Sequence, residues 1–410
     1  MDKKGVIFLT ALAILAGFLA KIVVSSTVVA VPGAKRWESQ LTGHSFALSP
    51  DPYSWPGVSG DRILTAEFSW HVAPSSANPA GLRVSVADET GNEYDPMIHY
   101  TAGHDVDEQG NGKWSQEIPV FPRRGKAVRI ILRSADLRLG EFSIPNPVPG
   151  PHPDWRPEPL PITAVSPGLE VTLTRFQAHQ ASRTASAPGS LSLRTECLFA
   201  MSEAGQPTMD WVPNSFEIAD ATGNRWRAMP EPMAAAAAGG NVSAVLLGAL
   251  WAGEAAWRIK VEFKRVAHYK EAELLRVADI PLPAAKEIAR PHTHHERNGE
   301  EFEVTAVIGT EVEWERIVLL NTDKRPGCVT VVLSAPDLAP GKHLAFVAAT
   351  DDQGRSVPLA GTRELGGPGS TVPFSLMFQP PSGGRRLNLV IAVSESHSFT
   401  FLAKPEQVKE

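Results

Sequence analysis

Cysteine is nearly missing from this chain: Cys197 and Cys328 are the only two in 410 residues. They sit at non-equivalent places, so the disulfide framework that staples many small secreted domains is unavailable. In Leu191-Ser192-Leu193-Arg194-Thr195-Glu196-Cys197 the alternation puts Cys197 on the face of Leu191 and Leu193, where a thiol behaves as a small buried hydrophobe. An excess of positive charge is missing too. Lys and Arg number 39 against 45 Asp and Glu, a formal net charge of -6, whereas nucleic-acid binders carry a basic domain or stripe. Nucleic acid is therefore not an expected partner. Beyond the N-terminus no stretch sustains a 3.6-residue apolar period with caps, and the run Ala234 to Ala238 is bounded by Pro232 and Gly239. A parallel α/β fold, which needs such helices, is excluded. Compact catalytic signatures are also absent: no Gly-x-Ser-x-Gly elbow, no His-Glu-x-x-His, no phosphate-cradling glycine loop and no Cys-x-x-Cys pair. No cofactor is implied, and an enzyme would need a dispersed active site.

What is present is turn chemistry and alternation. The chain holds 35 Pro and 33 Gly, with 43% hydrophobic and 20% charged residues, the balance of a globular, turn-rich protein. A length of 410 residues gives a prior of two to four domains. The first 36 residues read as a targeting segment. Lys3 and Lys4 precede the apolar run Gly5 to Ala20, Lys21 follows, and a β-branched stretch continues from Ile22 to Val31 before Pro32. Positive charge ahead of an apolar run holds that end in the cytoplasm and sends the rest across. Extended to Val31 with Lys21 snorkelling, the run is long enough for a spanning helix; Val24-Ser25-Ser26 and Val28-Val29-Ala30 offer the alternative of signal cleavage. The expected topology is a single-pass membrane protein with its C-terminal domains extracytoplasmic, or a secreted one if the segment is cut.

One turn occurs three times. Val86-Ala87-Asp88-Glu89-Thr90-Gly91-Asn92, Ile218-Ala219-Asp220-Ala221-Thr222-Gly223-Asn224 and Ala349-Thr350-Asp351-Asp352-Gln353-Gly354-Arg355 place their glycines 132 and 131 residues apart. Asp bonding backbone two residues on, with Gly at a positive φ, is hairpin chemistry, and its repetition suggests duplication. Each turn is followed by an apolar stretch, a Pro/Gly-rich turn and a strict alternator: Val128 to Arg133, Trp257 to Lys264, Leu387 to Val393. Period-two alternation means one face in a core and one in water. About seven short strands per copy at turn spacings of this kind predict an all-β chain of three tandem β-sandwich domains. The boundaries are residues 37–147, 163–283 and 300–410, after the N-terminal transmembrane or signal helix of residues 1–36. Residues 148–162 form a Pro-rich linker, expected to be an extended, semi-rigid spacer that strings the domains in series, and residues 284–299 form a linker with a His-rich patch. The pattern resembles the tandem immunoglobulin-like or fibronectin-like modules of cell-envelope proteins, a likeness that covers the chain after about Arg36 and implies no functional residue.

Few side chains carry a chemical suggestion. Arg129 and Arg133 in one alternator, and Arg258, Lys260 and Lys264 in the next, point outward and form a candidate basic binding face for anionic headgroups or acidic polysaccharide. Lys and Arg at such positions also serve simply to discourage edge pairing. His292, His294 and His295 are the candidate metal ligands, with the difficulty that contiguous imidazoles in a linker are hard to aim at one ion. Asp105 to Gly112 opens like a calcium loop, but its twelfth position is Gln116 where a bidentate Glu is needed. Asp88, Asp220 and Asp351 read as turn formers. Trp37, Trp55, Trp155 and Trp314 are either plugs between sheets or sugar-stacking platforms. The expectation is a non-catalytic cell-envelope protein that presents its modules to a protein partner, with a carbohydrate binder as the alternative and a hydrolase as a further one.

Overall fold

The computed structural model describes residues 22–24, 27–29, 41–50, 62–71, 82–89, 93–94, 103–106, 111–118, 120–134, 137–183, 191–228, 241–247, 250–251, 253–297, 299–313, 327–335, 339, 341–363, 374–379 and 383–409. The expected helix of residues 1–36 apart from residues 22–24 and 27–29, the tip of the first repeated turn, residues 107–110 of the calcium-like loop, the Ala234 to Ala238 run and Trp37, Trp55 and Trp314 lie outside them. The described chain is all-β, organised in several sheets, and its one helical element is a single 3-10 turn at Glu271–Glu273. It falls into two compact units. The first comprises Met1–Pro207, Ser215–Val261 and Phe399–Glu410; the second, Thr208–Asn214 and Glu262–Ser398.

Within the first unit, two five-stranded sheets form a sandwich. One runs Ile22–Val24, Leu41–Pro50, Arg62–His71, Asn111–Ile118, Gly103–Val106; the other runs Thr27–Val29, Leu137–Pro145, Ala127–Ser134, Leu82–Ala87, Glu93–Tyr94. Alternation decides which side chains meet. Phe46, Phe68 and Trp114 point inward from the first sheet, and the rings of Phe46 and Phe68 lie 5.7 and 5.4 Å from that of Phe142 in the second. The same unit holds a further sheet of Ile162–Ser166, Leu169–Arg183, Leu191–Glu203 and Gln206–Pro207, extended by Asn241–Leu247 and by the parallel strand Glu406–Lys409. Cys197 lies between Phe176 and Ala244 in that sheet, fully buried, as its alternation predicts.

The second unit packs strands Leu274–Pro281 and Lys342–Asp351, both paired with Arg386–Ala403, over a sheet built on Glu300–Ile308, Val329–Ser334 and Phe374–Phe378. Their shared core contains Val277, Val304, Val331, Leu376, Leu389 and Ile391. Each alternator buries its apolar set: Val128, Ile130 and Leu132; Trp257, Ile259, Val261 and Phe263; Leu387, Leu389, Ile391 and Val393.

Two features depart from the sequence expectation. Ile22–Val24 and Thr27–Val29 are strands, paired with Leu41–Pro50 and Leu137–Pro145 respectively, not the continuation of a helix. Isoleucine, valine and threonine in succession favour the pleated form, and both pairings cap a sheet edge. The Pro-rich linker is also more than a spacer. Its polar groups bond their neighbours: Arg124 Nη2 donates to the Pro153 carbonyl at 2.7 Å, His152 Nε2 lies 3.2 Å from the Arg123 carbonyl, and Glu158 N donates to the Leu402 carbonyl at 2.8 Å.

Candidate functional site

Two of the five basic positions, Arg129 and Arg133, are paired with carboxylates of their own sheet. Arg133 makes a two-pronged contact with Glu93, Nε to Oε1 and Nη2 to Oε2, both 2.6 Å, across from strand Glu93–Tyr94. Arg129 and Arg138 both bond Glu141. Burial pushes the Glu93 carboxyl up, but hydrogen bonds from Arg133 and Ser85 and the charges of Arg133 and Arg138 outweigh it and leave the group below its ordinary value. Arg258 stacks its guanidinium 5.2 Å from the ring centre of Trp155, which makes that tryptophan a partner for the linker's neighbour. Lys260 is exposed in the first unit, while Lys264 belongs to the second.

The His-rich patch lies on strand Thr293–Arg297, not in a loop, and the strand separates its members. Thr293–Arg297 pairs antiparallel with Glu300–Ile308, so neighbouring side chains leave on opposite faces. His292 Nδ1 sits 2.6 Å and His294 Nε2 4.0 Å from Glu303 Oε1. His295 turns to the other side, where burial and then the charge of His294 lower its pKa. Among the described residues no group of three or more His, Cys, Asp or Glu is placed to hold a metal ion.

A constellation that no contiguous motif marks lies in the second unit. Glu262 projects from the middle of the alternator and gathers groups from three other strands: Ser396 Oγ donates to Oε1 at 2.5 Å, His343 Nε2 lies 3.2 Å from Oε1, and Asn214 Nδ2 donates to Oε2 at 3.0 Å. Serine, histidine and a carboxylate together raise the question of a nucleophile. The geometry answers it. Both Ser396 and His343 bond the carboxylate, so the serine proton faces Glu262 and not the imidazole that would have to accept it. Hydrogen bonding from His343 first, then Ser396 and Asn214, holds Glu262 at about 2 against the opposing effect of burial. A carboxylate with so low a pKa is a poor base at neutral pH, where an effective one is poised near 7. The cluster clasps four strands; the acidic residue among Arg258, Lys260 and Lys264 was its only trace in the sequence.

On the outer face of the first sheet a shallow groove of about 510 Å³ is lined by Gly43, Ser45, Glu67, Ser69, Lys113 and Ser115. Small residues in cross-strand rows, Gly43 opposite Ser69 and Ser69 opposite Lys113, leave the concavity. Ser45 Oγ donates to Glu67 at 2.9 Å, while the rings of Phe68 and Trp114 face inward.

The most completely buried polar network joins the segment Phe121 to Arg124, the linker and the second repeated turn, all inside the first unit. Asp220 Oδ1 accepts from the amides of Thr222 and Asn224 at 2.9 and 3.0 Å, and Gly223 donates to its carbonyl at 3.5 Å. The third turn repeats this arrangement: Asp351 Oδ1 accepts from the amides of Gln353 and Arg355 at 2.9 and 2.8 Å, and Gly354 donates to the Asp351 carbonyl at 3.0 Å. The second oxygen differs. In Asp220 it takes Asn224 Nδ2 and Trp251 Nε1, at 2.7 and 3.1 Å; in Asp351 it takes Arg355 Nε at 2.7 Å. Asn224, wholly buried, reads Phe121 like a strand partner, accepting from its N–H at 3.2 Å and donating to its C=O at 2.9 Å. Arg123, 2% exposed, donates to the Thr222 carbonyl at 3.3 Å. Gly223 has φ of 100°, and a Cβ there would meet Arg123 Nη1 at 3.0 Å, so glycine serves both the turn and the docking. Arg124 completes the junction, bonding Glu254 through Nε at 2.9 Å and Asp154 through Nη1 at 3.0 Å. Burial, and then the Asp220 charge, raise the Glu254 carboxyl despite Arg124. Comparison with known protein families, curated proteins and solved structures finds no match to this chain.

Proposed function

We propose that this chain is a non-catalytic cell-envelope protein whose three tandem immunoglobulin-like or fibronectin-like sandwich modules serve as an extracytoplasmic scaffold for a protein partner, held to the membrane by its N-terminal segment. The observation that carries this reading is the junction around Asn224. Buried polar groups are costly unless fully paired, and here they are spent on fixing the geometry of Phe121 to Arg124 against the second repeated turn. The same holds for Glu262, whose potential chemistry is consumed in joining strands. A fixed array of sheet faces is what a docking scaffold requires, because preorganisation removes ordering cost from binding.

Crosslinking on intact membranes followed by capture of the full chain tests the reading: one recurrent protein partner is the expected result. Steady turnover of a glycan, ester or peptide by the purified chain would overturn it. A reporter active only outside the cytoplasm, fused at Glu410, is expected to be active; activity confined to the cytoplasm would refute the topology. The carbohydrate alternative finds its support in the groove beside Lys113, where hydroxyl, carboxylate and ammonium groups line a space of ligand size. Saturable polysaccharide binding that disappears in Lys113→Glu would favour it over the scaffold.

A further inference from the structure

In the first copy, the strand that follows the alternator closes the sandwich beside it. Leu137–Pro145 pairs antiparallel with Ala127–Ser134, with Phe142 opposite Ile130, Ile144 opposite Val128 and Pro145 opposite Ala127. Phe142 and Ile144 are buried, and the strand ends on proline. The same element recurs after the other two alternators, as Leu275 to Pro281 and Phe399 to Pro405, each with apolar residues two apart ahead of a proline.

Neither of these strands closes the copy it follows. Leu274–Pro281 comes next in the chain after Trp257–Arg265, yet it lies in the second unit and pairs there with the third copy's alternator, Ile280 opposite Leu387 and Pro281 opposite Arg386. That Ile-Pro register is the one Ile144 and Pro145 keep with Val128 and Ala127. The third copy's own closing segment goes the other way. At Phe399 the chain returns to the first unit, where Phe399, Phe401 and Ala403 are buried and the Phe401 ring lies 5.8 Å from that of Phe199. Glu158 N donates to the Leu402 carbonyl at 2.8 Å, and Glu406–Lys409 runs parallel to Gln177 to Gln180. In sheet order the strand Arg386–Ala403 neighbours Trp257–Arg265, as Leu137–Pro145 neighbours Ala127–Ser134.

We infer that the second and third copies have exchanged closing strands, and that the slot beside Trp257 to Val261 is a peptide-acceptor site for an extended segment of the pattern Phe-x-Phe-x-Ala-x-Pro, filled in this chain by its own Phe399 to Pro405. Exchange of a duplicated element costs little, because either strand offers the same alternation to either core. An alternator without its closing strand presents a row of unpaired N–H and C=O groups, the template on which an added strand docks, and pockets for alternate side chains decide which strand it takes. Here the pockets hold Phe399 and Phe401, where the second unit holds Leu275 and Val277. The site is independent of the membrane topology and of the partner proposed above.

The full chain carrying Phe401→Asp tests the site, because an unpaired carboxylate cannot stay in this core and expels the resident strand. A labelled synthetic peptide of residues 398–409 should then bind saturably. It should bind the unsubstituted chain at least about ten-fold more weakly, since the resident strand competes as a tethered ligand at an effective concentration of about a millimolar. The same peptide with Phe399→Ser and Phe401→Ser should bind neither chain. No saturable binding to a folded Phe401→Asp chain, or equal binding of the two peptides, overturns the acceptor site. Should Phe401→Asp not fold, amide exchange in two milder variants of the full chain decides. Phe199→Ala, in the first unit, should lower protection over Phe399 to Phe401 at least several-fold more than over Leu275 to Val277, and Leu376→Ala, in the second, should do the reverse. Loss that follows chain order instead, over Leu275 to Val277 in Phe199→Ala, or equal loss over both segments, overturns the exchange and the site with it.

Discussion

Replacing Asn224 with alanine should destabilise the first unit by about 3.5 kcal/mol. The side chain holds both backbone groups of Phe121, itself wholly buried, and donates to the Asp220 carboxylate at 2.7 Å. Stranding a buried N–H or C=O costs about 1–3 kcal/mol, and a hydrogen bond to a charged group contributes about 1.5–3 kcal/mol. Taking the low end for the two Phe121 groups and for the charged bond gives the figure quoted. Chemical denaturation of the chain from Ile22 onward reads the loss, and amide exchange at Phe121 locates it. Asn224→Asp separates polar from packing effects, because it keeps the volume but removes both Nδ2 hydrogens and sets a second carboxylate against Asp220. It is expected to cost as much as alanine. A loss under about 1 kcal/mol in Asn224→Ala, with the Phe121 amide still protected, would refute the assignment of the junction to this side chain.

Further outcomes follow from the same contacts. Glu262 ionises at about 2 in the folded chain against 4.5 ordinarily, so it stabilises the fold by about 3 kcal/mol above pH 4.5 and loses this as pH falls towards 2, at 1.36 kcal/mol per pKa unit. Glu262→Gln should flatten that acid limb in denaturation series at pH 3 and 6; an unchanged slope would count against the clasp. Arg133→Glu, facing Glu93 across the sheet, should cost about 1–2 kcal/mol, and the exchange Arg133→Glu with Glu93→Arg should recover most of it in a double-mutant cycle. Burial raises the Cys197 thiol well above its ordinary value, with the Glu196 charge adding to the effect. A water-soluble thiol reagent should therefore leave the native chain unmodified yet count two thiols in denaturant, and one disulfide found by mass spectrometry would refute this.

The sequence was legible where a rule is local. Alternation in Trp257 to Phe263 named the buried face residue by residue, and the aspartate turns at Asp220 and Asp351 have the backbone role their spacing implied. Legibility failed where partners are distant in the chain. Asn224 and Phe121 are 103 positions apart, and nothing in either segment announces the other. The histidines sit in a stretch whose sequence reads as a linker, and only the pairing of Thr293–Arg297 with Glu300–Ile308 reveals that His294 and His295 lie on a strand, which sends adjacent side chains apart. At Ile22 to Val29 two rules competed, apolar length for a membrane helix and β-branching for a strand, and two unsatisfied sheet edges supplied the deciding pairings.

The aspartates of the second and third turns divide labour between their two oxygens. Oδ1 is committed to the backbone loop in both, while Oδ2 serves Asn224 and Trp251 in one and Arg355 in the other. A gene segment duplicated with such a turn inherits a finished corner together with one uncommitted acceptor. Mutation at the fourth residue after the aspartate can then recruit that acceptor to seat a neighbour or to close upon itself, without disturbing the hairpin that sets the strand register. The fourth residue after the aspartate thus decides whether the turn reaches a neighbouring segment, as at Asn224, or closes on itself, as at Arg355.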